Sequence, residues 1–161
     1  MSLVDNRFDS NTEDDVPVEV LVSYAEKDIA VLRTKTKLYV SHAWKVADQK
    51  SLKVGEQVYI AGYPRSIAKV LSSGTVANTT GVPNDESAKV ACMILADADA
   101  TTGNSGGPLF VRRGDDLYFA GIVTTGFAFL SAAVGSACFE AIPGLSYTSS
   151  EPGGLSKEAK K

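Results

Sequence analysis

The chain has 161 residues, a length that holds one domain or one and a part. Sixteen basic against nineteen acidic residues leave a net charge of −3, which argues against nucleic acid or an anionic membrane as the main partner. The composition, 44% hydrophobic and 22% charged, is that of a globular protein, and no apolar run approaches the ~20 residues that span a bilayer.

The two cysteines, Cys92 and Cys138, are too few for a disulfide framework. Both lie in apolar, strand-like runs, so buried free thiols are expected ahead of a single bridge. With one histidine and no Cys/His cluster, no metal site is expected, and no cofactor is implied. No secretory leader is visible in the sequence as given, which leaves the compartment open, extracytoplasmic and phage-associated settings included.

Along the chain, Arg7–Asp15 is polar and acidic and reads as a loop. Val18–Val22 is rich in β-formers, and Ile29–Leu32 is a short apolar run after Glu26-Lys27-Asp28. Leu38–Lys53 holds the only tryptophan and the only histidine and follows no clear period. From Gly55 the pattern is plain. Strands are expected at Gln57–Tyr63, Ala68–Asn78, Lys89–Leu95, Gly107–Arg112, Leu117–Thr125 and Ser136–Ile142. Turn chemistry separates them at Tyr63-Pro64-Arg65, Gly81-Val82-Pro83-Asn84-Asp85 and Arg113-Gly114-Asp115-Asp116. With no convincing helix between them, an all-β closed antiparallel barrel is favoured over βαβ units. The expected organisation is a partial first barrel over 1–54, a complete second barrel over 55–143 and a polar, disordered tail over 144–161. Two strands before Gly55 cannot close a barrel, and a two-stranded unit is marginal alone.

The chemistry concentrates at Thr101-Thr102-Gly103-Asn104-Ser105-Gly106-Gly107-Pro108-Leu109-Phe110. Glycines flank Ser105, and an apolar β-prone run follows, so the serine sits on a tight loop that feeds a strand. Acyl-transfer enzymes present a nucleophile beside an oxyanion hole in this way. A glycine-rich turn with no catalytic role is the plainer alternative. A serine nucleophile also needs a base and an acid that orients the base. Asp28, heading the apolar run Ile29–Leu32, is the acid candidate, against the alternative of an ordinary turn aspartate.

At these residues the chain resembles the trypsin-like (chymotrypsin-fold) serine proteases, most closely their HtrA/DegP-like branch. Asp28-Ile29-Ala30-Val31-Leu32 is similar to the aspartate motif, and Thr102-Gly103-Asn104-Ser105-Gly106-Gly107-Pro108-Leu109 to the serine motif. Between them, Leu52–Val58, Ala61-Gly62-Tyr63-Pro64 and Ser73-Gly74-Thr75-Val76 resemble successive strands of the family. Gly121–Gly126 resembles the strand that pairs with substrate, and Phe139-Glu140-Ala141-Ile142-Pro143 the last strand. The resemblance implies a chymotrypsin-like double β-barrel with its active site in the cleft between barrels. Ser105 would be the nucleophile of a serine endopeptidase and Asp28 the orienting acid. The N–H groups of Gly103 and Ser105 would form the oxyanion hole. A polypeptide substrate would add as an extended strand along Thr124, Thr125 and Gly126. Thr101, Thr102 and Asp99, just before the serine, would shape the specificity pocket. Asp99 stands where an acid gives trypsin its basic preference, whereas Asp97 aligns with an aspartate of the HtrA-like branch, which prefers apolar residues. Asn104 replaces the aspartate that captures a freed N-terminus in pancreatic enzymes, which argues against that form of activation.

One element of the family pattern is missing. The catalytic histidine should precede the aspartate, yet the only histidine, His42, follows Asp28. Leu3-Val4-Asp5-Asn6 resembles the residues after the family's histidine, so Ser2 falls at the histidine position. The expectation is therefore an N-terminally truncated protease, inactive as given, with an exposed edge on its partial barrel and an undefined oligomeric state. A non-catalytic trypsin-like domain that binds extended peptides or partner proteins is the alternative.

Overall fold

The computed structural model describes residues 2–4, 15–36, 44–81, 92–127, 129–140 and 142–143. The chain divides into two compact units, Met1–Ala43 and Trp44–Lys161. The division falls before Trp44 rather than after Val54, because a short strand at Lys45–Val46 pairs with the larger unit. Among the described residues all regular structure is strand or 3-10 turn.

The smaller unit is a three-stranded antiparallel sheet of β1 (Ser2–Val4), β2 (Asp15–Tyr24) and β3 (Ile29–Thr34), in that order. The β2 and β3 strands contain the two runs read from the sequence. The first strand was not anticipated: Ser2–Val4 pairs with Asp15–Pro17. A 3-10 turn at Ala25–Lys27 joins β2 to β3, and Asp28 closes it in the left-handed region (φ 56°, ψ 40°). Aspartate tolerates that conformation better than most residues. Of the described side chains here, Val18 and Ile29 are buried, while Val20, Leu21 and Val22 stay exposed.

In the larger unit β4 is Lys45–Val46, β5 Gln57–Gly62, β6 Val70–Asn78, β7 Met93–Ala96, β8 Pro108–Arg113, β9 Asp116–Phe127 and β10 Leu130–Gly135. The order β10-β7-β6-β5-β8-β9 closes on itself through β10–β9 pairing, which makes a six-strand barrel. Closure gives every strand of the ring a partner on both sides over at least part of its length. The β4 strand adds in parallel to β9, with Lys45 opposite Tyr118. Lys45 Nζ also reaches Asp116 Oδ2 at 2.8 Å, a hydrogen bond that raises its pKa. Alternation explains the interior. Val58 and Ile60 of β5 turn inward to meet Val76, Ile94, Leu109 and Val111, all at most 1% exposed.

The all-β, closed-barrel expectation is met, with two corrections. The last strand lies at Leu130–Gly135, whereas the expected Ser136–Ile142 begins with a 3-10 turn at Ser136–Cys138. That turn is fixed by the Ser136 hydroxyl, which donates to Ala47 O at 2.6 Å, and by Ala137 N–H, which donates to the buried Gln49. The cysteines are bridged, not free: Cys92 and Cys138 form a disulfide with a Cα–Cα distance of 5.7 Å. Pairing brings them together, since Met93 of β7 lies opposite Val134 of β10. Residues 82–85 of the expected turn, residues 89–91 of the expected third strand, His42 and the tail 144–161 lie outside the described residues.

Candidate active site

The approach to the serine loop is anchored one residue at a time. The β7 strand delivers the chain to Asp97, whose carboxylate accepts the Thr75 N–H and, at 3.1 Å, the Thr75 hydroxyl. The Ala98 carbonyl accepts the buried Ser131 hydroxyl, and the Asp99 carbonyl accepts Ser72 Oγ at 2.6 Å. Ala100, Thr101 and Thr102 follow from a stem held by β6 and β10.

The loop itself rests on the turn after β5. Arg65 N–H donates to Thr102 O at 2.8 Å. Gly103 has φ +101°, and a Cβ there would sit 2.6 Å from Tyr63 O and 2.7 Å from Arg65 N. Both conformation and space require glycine. Asn104 is buried at 5% exposure and packs on Gly62, where a Cβ would lie 2.8 Å from Asn104 Cγ. Asn104 Oδ1 has no donor among the described residues. Most neighbouring main-chain donors are occupied. Asn104 N–H donates to Thr101 O, Gly107 N–H to Asn104 O and Gly106 N–H to Val123 O, at 2.7–3.0 Å. The N–H groups of Gly103 and Ser105 have no acceptor among the described residues. Two main-chain donors, two residues apart in the sequence, are thereby left unspent on the loop that carries the exposed serine.

Six residues singled out from the sequence, Thr101, Thr102, Ser105, Thr124, Thr125 and Gly126, line one cavity of about 450 Å³. Ala100 and Val123 complete its wall; Val123 lies in the Gly121–Gly126 stretch read as pairing with substrate, whereas Ala100 had no signal beyond adjacency to Thr101. The lining carries hydroxyls and small apolar groups and no charge. Asp99 and Gly103 do not line it. One wall is the end of β9: Thr125 and Gly126 pair with Ala132 and Ser131 of β10. On its other side β9 pairs with β8 only as far as Ile122 opposite Pro108, so beyond Val123 this edge has no strand partner among the described residues. Asp28 belongs to the smaller unit, where it is exposed and its N–H donates to Ala25 O at 3.2 Å.

A closed antiparallel barrel that holds a glycine-flanked serine between two of its strands is the architecture of one class of serine peptidase. The chain belongs to the trypsin-like peptidase domain family, whose profile matches residues 2–117. It is 28% identical over 119 residues to Protease Do-like 5, chloroplastic, of Arabidopsis thaliana, over 73% of this chain and 36% of that protein. Its fold is similar to that of the HtrA-type protease AlgW with decapeptide (TM-score 0.65, 23% identity, 78% of this chain and 39% of that one). It is also similar to an AlgW serine-to-alanine variant with tripeptide (TM-score 0.67, 22% identity, 80% and 42% covered). The chain therefore spans well under half the length of these relatives.

Proposed function

We propose that Ser105 is the nucleophile of a serine endopeptidase site and that this chain, taken alone, hydrolyses peptide bonds slowly at most. An extended polypeptide adds to the open edge of β9 at Thr124–Gly126 by main-chain hydrogen bonds. One side chain enters the cavity, and the scissile carbonyl turns toward the N–H groups of Gly103 and Ser105. Attack by Ser105 Oγ forms the acyl-enzyme, a base takes the hydroxyl proton and later returns it to the leaving amine, and Asp28 orients that base. The observation that carries this reading is the meeting of Ser105 and the β9 edge at one cavity, with the unspent N–H groups of Gly103 and Ser105 on the same loop. The uncharged lining supports small, uncharged side chains in the cavity ahead of lysine or arginine, since Asp99 is not among the lining residues.

Slow turnover follows from the base. The one histidine comes after Asp28, out of the family's order, and the Ser105 hydroxyl is donated to a carbonyl instead of an imidazole. What remains without a triad member is oxyanion and binding catalysis, about 10³–10⁴ over water. A fluorophosphonate probe tests both halves. Slow labelling that disappears in Ser105→Ala is the expected result. Labelling that survives Ser105→Ala refutes the nucleophile, and labelling within seconds refutes the missing base. The same Ser105 contact favours a second reading, a peptide-binding trypsin-like domain without turnover. Labelling at Ser105 counts against it, because a pure binder has no need of a reactive serine.

A further inference from the structure

The hydrogen bond from Ser105 Oγ to the Thr124 carbonyl, 2.9 Å long, falls on a bulge. In the β9–β10 ladder Thr125 lies opposite Ala132 and Val123 opposite Ala133, which leaves Thr124 as the extra residue. A bulged residue is unpaired in its ladder and its main chain is re-aimed. Immediately before it, Val123 spends both its N–H and its carbonyl on the Gly106–Gly107 turn. Thr124 O is the next carbonyl along the open edge, and the hydroxyl of Ser105 fills it.

We propose that Ser105 caps the main-chain acceptor at which an incoming polypeptide docks, so that substrate and nucleophile compete for Thr124 O. The inference rests on the peptide-binding reading above and adds a form of regulation to it. In the resting site the one hydroxyl proton is committed to a carbonyl, which is no base. A substrate amide that donates to Thr124 O displaces it and frees the hydroxyl for a base as the substrate seats. Docking and release of the nucleophile are then one event. Because the Ser105 bond must be broken or shared, it weakens peptide binding, and deleting the hydroxyl strengthens it.

The test uses the full 161-residue chain and a dye-labelled, uncharged octapeptide of alanine and threonine, with affinity read by fluorescence anisotropy. Ser105→Ala should bind the peptide about two- to tenfold more tightly than the unsubstituted protein, the worth of one net hydrogen bond. Octapeptides N-methylated at each amide in turn then locate the effect. At one position N-methylation should abolish the gain, because that amide no longer donates to Thr124 O. Equal affinity of the two proteins overturns the competition and leaves the binding reading standing. A gain that survives every N-methylation also overturns it, by showing that the hydroxyl obstructed the peptide sterically. If neither protein binds the octapeptide, the binding reading itself fails.

Discussion

The disulfide between Cys92 and Cys138 should dominate the stability of the barrel. It closes the chain across a sequence separation of 46 residues, and the chain-entropy relation for that loop gives about 4 kcal/mol at 25 °C. With an m-value of about 1.5 kcal/mol/M, reduction should lower the urea midpoint by about 2.7 M. The thermal midpoint should fall by about 15 °C. Trp44 provides the assay, because it is the only tryptophan and its ring lies 4.5 Å from that of Phe110 on β8. Its fluorescence therefore reports on the barrel. The double variant Cys92→Ala/Cys138→Ala should match the reduced protein to within the small cavities that two buried sulfurs leave, and added reductant should not shift it further. A midpoint that moves by less than about 0.5 M, in both the reduced protein and the double variant, refutes the assignment of this bridge as the barrel's main staple.

Gly62→Ala should be disruptive out of proportion to one methyl, since the new Cβ meets the buried side chain of Asn104, the residue before Ser105. The expected cost is about 1–3 kcal/mol in urea unfolding, accompanied by weaker peptide binding. An unchanged midpoint would show that the loop yields easily. Asp99→Asn should leave affinity for an alanine-centred peptide within about twofold, because removing an exposed charge outside a binding pocket usually changes little. If the unsubstituted protein instead prefers a lysine-centred peptide and loses that preference on Asp99→Asn, the uncharged-pocket argument is wrong.

What could be read from the sequence followed the physics of each element. The β5, β6, β8 and β9 strands announced themselves by runs of β-formers bounded by proline, glycine and aspartate turns, and their observed bounds fall within three residues of expectation. The β10 strand did not. Ser131-Ala132-Ala133-Val134 is small and buried on both faces, so it shows neither alternation nor strong β-propensity. The bulkier Cys138, Phe139 and Ile142 drew the reading one element too far along. The cysteine pairing was also out of reach, because it depends on β7 lying beside β10, a register that no local signal carries. The serine loop was legible because glycine is required where φ is positive and backbones nearly touch. The bulge at Thr124 was not. A register shift leaves no mark in composition, yet it is what aims the Thr124 carbonyl at Ser105.

The division into units also sorts the chemistry. Everything that would hold a polypeptide, from the Asp97 anchor through the serine loop to the Gly126 edge, lies within one continuous stretch of the larger unit. Its supports belong to that barrel as well: Thr75 and Ser72 on β6, Ser131 on β10, and the Arg65 turn. The proposed acid–base half of the reaction would call on Asp28, in the smaller sheet, and on a histidine that this chain does not supply in the family's order. On that proposal binding and proton transfer draw on different structures, one a closed, bridged barrel and the other a three-stranded sheet in which, among the described residues, only Val18 and Ile29 are buried. Loss of the acid–base half leaves the barrel's hydrogen bonds in place, so peptide affinity should outlast turnover. The Ser105 hydroxyl donates to the Thr124 carbonyl at 2.9 Å. That carbonyl lies on the β9 edge proposed to take the polypeptide.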